Sequence, residues 1–190
     1  AYACPDGSTI RVFEYEESLR ETTTMSEAEL FYLRKLHFLV DFAWNLDVYK
    51  PLLRVGHLYG VNPIDVLQQL LKITEAPTTE FGQAAERMAK FFAVFDMKSK
   101  EEWFDTRDDI ELYFEDERNF ARLINQEFEK LNIMFSVELL KSYKPAFDSM
   151  IYSLVRSFEK IPNDIFEHAA ALSFAAFPAL DAEVNERIVS

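Results

Sequence analysis

The stretch Thr22–Leu71, TTTMSEAELFYLRKLHFLVDFAWNLDVYKPLLRVGHLYGVNPIDVLQQLL, carries the start signals and the periodicity of successive helices. Ser26 followed by Glu29 is a capping-box pattern, in which each side chain can satisfy the other's backbone N–H. Leu33, Leu36, Val40 and Trp44 follow at helical spacing, as the apolar stripe of a helix does. Asn62 before Pro63 places a capping side chain next to a proline at the first helical position. Asp65 then falls in the first turn, and Ile64, Leu67, Leu70 and Leu71 share one face.

Outward from this stretch the helical signals continue. Phe81, Ala84, Ala85, Met88, Phe91, Phe92 and Phe95 repeat at three and four, which predicts an amphipathic helix after a Thr78-Thr79 cap. Ser99 with Glu102, and Thr106 with Asp109, predict two further caps: a short helix around Trp103, then a long one carrying Phe120, Ile124, Phe128, Leu131 and Phe135. Pro145 is expected to end the element before it. Phe147, Met150, Ile151, Leu154, Val155 and Phe158 mark another helix, closed by Pro162, and Asn163 is expected to cap a last, Ala-rich helix stopping near Pro178. On the N-terminal side, Ile10 to Tyr15 alternates with a period of two and reads as a short strand or extended arm. One strand cannot make a sheet, so it must lie on the helices or pair with something outside these residues. The expected fold is all-α: an irregular bundle of about seven helices preceded by a short extended N-terminal arm. The chain divides into an arm or linker remnant over 1–25, a helical domain over 26–180 and a tail over 181–190.

Composition narrows the function. A chain of 190 residues can bury a core without disulfides or metals, and its 18 Phe, eight Tyr and two Trp make that core bulky. The net charge of −13 disfavours nucleic acid and anionic membrane, because phosphate neutralisation requires clustered Lys and Arg. Cys4 is the one cysteine, which rules out an internal disulfide and fits a reducing cytoplasm. The apolar stretch Ala169–Leu180 is broken by Ser173 and Pro178 and is shorter than the roughly 20 residues of a spanning helix. Ala1–Ser8 reads like the interior of a longer polypeptide, so the chain is expected to be a piece of a larger protein.

The candidate site residues lie on the first helix. Arg34, His37, Asp41 and Asn45, with Trp44 beside them, draw a polar line through an apolar run. It is either a solvated face with a His37–Asp41 pair or the polar rim of a cavity or interface. Asp164 and His168, at i and i+4, could reach one metal ion, but two ligands do not make a site. Glu101 to Glu117 holds nine carboxylates against Arg107, without the Gly or ligand order of a calcium loop. It reads as a solvated acidic face or as a docking surface for a basic partner. Gly-rich phosphate cradles and the Gly-x-Ser-x-Gly and Cys–His–Asn patterns are missing from the sequence, so no catalytic, cofactor-binding or metal-binding residue is assigned.

Three runs carry a family resemblance: Thr22-Thr23-Thr24-Met25-Ser26, Leu33-Arg34-Lys35-Leu36 and Val40-Asp41-Phe42-Ala43-Trp44-Asn45. Tyr49–Leu53, Gly60–Leu67 and Phe120–Asn132 extend it. Together they resemble the C-terminal helical region of cobalamin-binding radical SAM proteins, most closely the magnesium-protoporphyrin IX monomethyl ester oxidative cyclase type. The resemblance spans roughly Ile10 to Phe158 and is one of helices and caps rather than of reactive residues. It implies a noncatalytic C-terminal domain that covers the barrel and helps shape the substrate cavity. The iron–sulfur cluster, S-adenosylmethionine and cobalamin would belong to the parent protein, whose N-terminal cobalamin and radical SAM domains would be the partners. The tetrapyrrole substrate comes by analogy alone. His57-Leu58-Tyr59-Gly60 has the last part of the Asp-x-His-x-x-Gly cobalamin motif, but Val55 replaces its Asp, so His57 reads as a helix-end histidine. Separated from its parent, such a domain should expose an apolar patch near the Phe13 arm or the Phe81–Phe95 helix, which an isolated homodimer could hide. The alternative is a free-standing acidic helical protein-interaction module. A small ligand-binding bundle with His37 and Asp41 in its pocket is a third reading.

Overall fold

The computed structural model describes residues 2–3, 5–7, 9–77, 81–101, 103–125, 130–158 and 160–177. Among these the chain is a helical bundle with a short extended arm. The helices are α1 (Glu27–Val40), α2 (Lys50–Leu58), α3 (Pro63–Glu75), α4 (Gly82–Glu101), α5 (Arg107–Glu115), α6 (Glu117–Ile124), α7 (Leu131–Glu138), α8 (Lys144–Arg156) and α9 (Asn163–Ala176). Wide π-turns at Asp41–Asn45 and Leu139–Tyr143 extend α1 and join α7 to α8, so the nine described helices form eight continuous rods. At the N-terminus β1 (Tyr2–Ala3) and β2 (Thr9–Ile10) pair antiparallel, Tyr2 opposite Ile10, around Gly7, whose φ of +83° a side chain would resist. Residues 11–19 then run without regular secondary structure.

The caps of α1, α3 and α5 form as the sequence predicts. Ser26 and Glu29 exchange their capping-box bonds, Asn62 Oδ1 accepts from the Ile64 N–H at 3.0 Å, and Thr106 and Asp109 repeat the box at α5. The inward face of α1, however, is rotated from Leu33/Leu36/Val40/Trp44 to Phe31, Lys35, Phe38 and Leu39, continuing into Phe42. Leu33 is exposed, and Leu36, Val40 and Trp44 only flank the core. Phenylalanine decides the rotation, because each of those rings buries more apolar area than the leucine or valine beside it. On α3, Val66 takes the buried place expected of Ile64.

Four other expectations are corrected. Among the described residues no helix forms around Trp103: α4 continues to Glu101, burying Ser99 one turn beyond Phe95, and the Trp103 ring lies tilted against Phe31 instead (5.3 Å between rings). The long helix from Phe120 to Phe135 is two helices, because Phe120 faces the arm while Leu131 and Phe135 enter the core. Pro145 does not end its rod. It sits in the first turn of α8, and the π-turn before it passes the chain on where proline's missing N–H would interrupt an α-helical ladder. Pro162, not Asn163, occupies the cap position of α9, and Asn163 Oδ1 accepts from Arg156. The Thr78-Thr79 cap, Phe128 and Pro178 lie outside the described residues.

The core is a chain of aromatic rings. Phe38 meets Phe95 at 5.2 Å, Phe95 meets Phe135 at 4.9 Å, Phe42 meets Phe147 edge-on at 5.8 Å, and Phe147 meets Tyr49 at 4.9 Å. Contacts of this geometry add roughly 0.5–1.5 kcal/mol each beyond area burial. They tie α1, α4, α7 and α8 around one centre. No described helix is long and apolar enough to cross a membrane.

Candidate functional site

The polar line on the first rod divides into two groups. Arg34 and His37, with Leu30, Leu33, Lys130 and Asn132, border an open depression of about 500 Å³ between α1, α4 and the start of α7. Arg34 is committed there: its guanidinium lies 5.2 Å from the Trp103 ring and donates to the Ser99 carbonyl at 3.4 Å. One turn on, Asp41 Oδ1 accepts from Asn45 Nδ2 at 3.3 Å inside the π-turn, and Lys50 Nζ stands 5.8 Å from the half-buried Trp44 ring. The structure therefore places Arg34 and His37 at the depression and Asp41 and Asn45 in the π-turn, and among the described residues His37 and Asp41 form no ion pair. Arg34 and His37 can supply hydrogen bonds at the rim of a surface depression.

A more deeply buried polar group escaped the sequence reading. Lys144, only 1% exposed, donates to both oxygens of Asp148 at 2.7 Å, and the Tyr49 hydroxyl donates to Asp148 Oδ1. The Lys144 ammonium also lies 5.5 Å from the rings of Tyr49 and Phe174. Burial, followed by the neighbouring Asp148 charge, pushes the Tyr49 hydroxyl far above its ordinary range, so it stays a neutral donor. The ion pair lies within α8, and the Tyr49 hydroxyl and the Phe174 ring tie it to the start of α2 and to α9; its worth depends on both charged partners being present. Its sequence trace was the i, i+4 spacing of Lys144 and Asp148; nothing in the sequence joined Tyr49 to them. Beside it, Ser173 Oγ of α9 accepts from the buried Leu52 N–H at 3.1 Å, satisfying a first-turn amide of α2 across the fold.

A second polar group joins α1, α3 and α4. Lys35 Nζ meets Asp96 Oδ2 at 3.1 Å and Glu75 Oε1 at 3.4 Å, close to the buried Ser99. Lys35 lay on the predicted first helix but outside its apolar stripe, and was not expected to face inward.

On the arm Ile10, Val12 and Leu19 are exposed, while the aromatic rings of the arm and of α4 are covered. Phe13 is covered by Phe114 and Phe120, and Phe91, Phe92 and Phe95 are buried. Val94 and Met97 are exposed on α4, but a concave apolar surface forms between α2 and α9, a groove of about 440 Å³. Pro51, Val55, Leu58, Ile165 and Leu172 floor it, and Arg54, Asp164 and His168 stand around it. Leu58 is 75% exposed and Leu172 64%. His168 Nδ1 lies 2.6 Å from the carbonyl of Asp164, so its ring is engaged by its own helix rather than aimed at a shared ion. Among the described residues no three His, Cys, Asp or Glu side chains group as metal ligands. His57 sits exposed in the last turn of α2, as expected of a helix-end histidine.

The acidic run is exposed but meets more cations than its sequence suggests. Arg20 reaches across from the arm to Asp105 (2.7 Å) and Arg11 to Glu117, adding two cations to Arg107. No protein-family model, curated protein or solved structure matches the chain.

Proposed function

We propose that this chain is a noncatalytic helical domain from the C-terminal end of a cobalamin-dependent radical SAM enzyme of the oxidative cyclase type, covering the barrel and shaping the substrate cavity. The carrying observation is the α2–α9 groove, where Leu58 and Leu172 stand in water beside Val55 and Ile165. Apolar side chains grouped on one concave surface are a docking feature, because their burial against a partner contributes roughly 25 cal/mol per Å². The occupant in this reading is the catalytic part of the parent polypeptide, and the closure keeps water from radical intermediates. Sequence resemblance at Thr22–Ser26, Leu33–Leu36, Val40–Asn45, Tyr49–Leu53, Gly60–Leu67 and Phe120–Asn132 supports the same assignment. The cluster, S-adenosylmethionine and cobalamin would be held by the parent's other domains, in the cytoplasm. The exposed carboxylates Asp108, Glu111 and Glu115 favour the competing reading of a free-standing acidic interaction module. The arm arginines that engage Asp105 and Glu117 weaken it.

The test is to purify the product of the whole open reading frame alongside the 190-residue chain. The reading expects a Cys-x-x-x-Cys-x-x-Cys segment upstream, iron and corrinoid in the whole product, and neither in the chain alone. Leu58→Asp with Leu172→Asp should leave the isolated chain's stability within about 0.5 kcal/mol, since both side chains are exposed, yet lower activity of the whole enzyme. Stoichiometric iron, corrinoid or turnover in the chain alone would refute the assignment.

A further inference from the structure

The hairpin of α5 and α6 stands apart from the bundle. Phe114 is the one buried side chain described on α5, α6 has none, and Phe114 lies outside the continuous core that joins the other helices. What covers the hairpin is the arm, roughly a hundred residues away in sequence. Arg11 donates to the Phe114 carbonyl at 2.8 Å, pairs with Glu117, and sets its guanidinium 3.9 Å from the Phe120 ring. Phe13 stacks on Phe114 at 5.4 Å and meets Phe120 edge-on at 6.3 Å. Farther along, the Tyr15 hydroxyl donates to Glu111, Arg107 pairs with Glu17 at 2.7 Å, and Arg20 reaches Asp105. Alternation along the arm places Arg11, Phe13 and Tyr15 inward and Val12, Glu14 and Glu16 outward, so a loop without helical or ladder bonds still presents a defined face.

These contacts differ in kind from those of the bundle. The bundle is held by buried rings, whereas the hairpin is held by one aromatic contact group and several charged pairs exposed to solvent. Exposed ion pairs are individually weak and screened by salt. The link to the bundle passes through Trp103, which lies tilted against Phe31 and 5.2 Å from the guanidinium groups of both Arg20 and Arg34.

We propose that residues 11–20 and the α5–α6 hairpin form one detachable lobe, in which the arm is an electrostatic strap. Lifting the strap uncovers Phe13, Phe114 and Phe120 and frees the hairpin while the bundle stays folded. The device is independent of the docking role assigned to the α2–α9 groove, which lies on other elements.

Hydrogen exchange of the complete chain, read by mass spectrometry, tests it. Amides of residues 107–124 should exchange as a unit, faster than those of α4 and α8, as a subglobally opening segment does. Arg11→Ala with Phe13→Ala should raise exchange of the hairpin by roughly tenfold or more, through loss of the cation–π, carbonyl and ring contacts, and leave α4 and α8 unchanged. Raising NaCl from 0.05 to 0.5 M should raise hairpin exchange in the unaltered chain by about threefold. The exchanged-charge variant Arg11→Glu with Glu117→Arg tests the pair directly, and should be better protected than Arg11→Glu alone. Equal acceleration of hairpin and bundle, or a hairpin indifferent to both the arm substitutions and salt, would overturn the proposal.

Discussion

Asp148→Asn is the most informative single substitution in the core. Lys144 beneath it is 1% exposed and has both its strong acceptors on that one carboxylate, so the amide would leave a buried ammonium without a counter-charge. Breaking a buried pair from one side costs about 3–5 kcal/mol. Because the Asp148 side chain keeps 23% of its surface in contact with solvent, the lower end, about 3 kcal/mol, is expected. Lys144→Met removes the charge together with the need for it and fills a similar volume, leaving Asp148 its solvent contact and the Tyr49 hydroxyl. That variant should lose no more than about 1.5 kcal/mol. In urea, with a slope of about 2 kcal/mol/M, the two midpoints should fall by about 1.5 M and less than about 0.8 M respectively. The assay is equilibrium unfolding followed by circular dichroism, with the slope checked for constancy. Equal losses for the two variants, or a loss below about 1 kcal/mol for Asp148→Asn, would refute the argument that the unpaired cation is the costly species.

Two smaller effects follow from the caps. Ser173→Ala should cost about 1–3 kcal/mol in the same assay, because it strands the buried Leu52 N–H, whereas Ser173→Thr should retain part of that bond. Asp116 is held down at about 2 from its ordinary 3.8, first by the Arg118 side chain and then by the Arg118 backbone N–H at the start of α6. A depressed carboxyl contributes stability above its unfolded value that is lost as pH falls through the folded one. Protection of the α6 amides should therefore hold above about pH 4 and fade toward pH 2. An NMR titration of the Asp116 carboxyl that gave a midpoint near its ordinary value would contradict this.

Much of the fold was legible because helix starts and apolar spacing are local properties. The capping pairs Ser26–Glu29 and Thr106–Asp109 and the Asn62-Pro63 start needed only neighbouring residues to act, and they act as written. The misreadings arose where burial outweighed a local signal. Ser99 carried the mark of a cap and became a buried residue inside α4; Pro145 carried the mark of a stop and was carried through by a π-turn. The candidate line Arg34, His37, Asp41 and Asn45 was visible by spacing, but its division between a depression and a turn was not, since that depends on α4, α7 and Trp103 arriving beside it. The groove escaped notice because its two walls, α2 and α9, are about a hundred residues apart.

By itself the sequence determined that the chain is helical, acidic and rich in phenylalanine, because propensity, capping and apolar period act within a turn or two of each residue. Tertiary structure alone decided which rings face inward, that Lys144 lies under Tyr49 and Asp148, that the arm straps α5 and α6, and that Leu58 and Leu172 meet in one groove. Those outcomes depend on which distant surfaces bury the most apolar area together, a property of the assembled chain that no short stretch encodes.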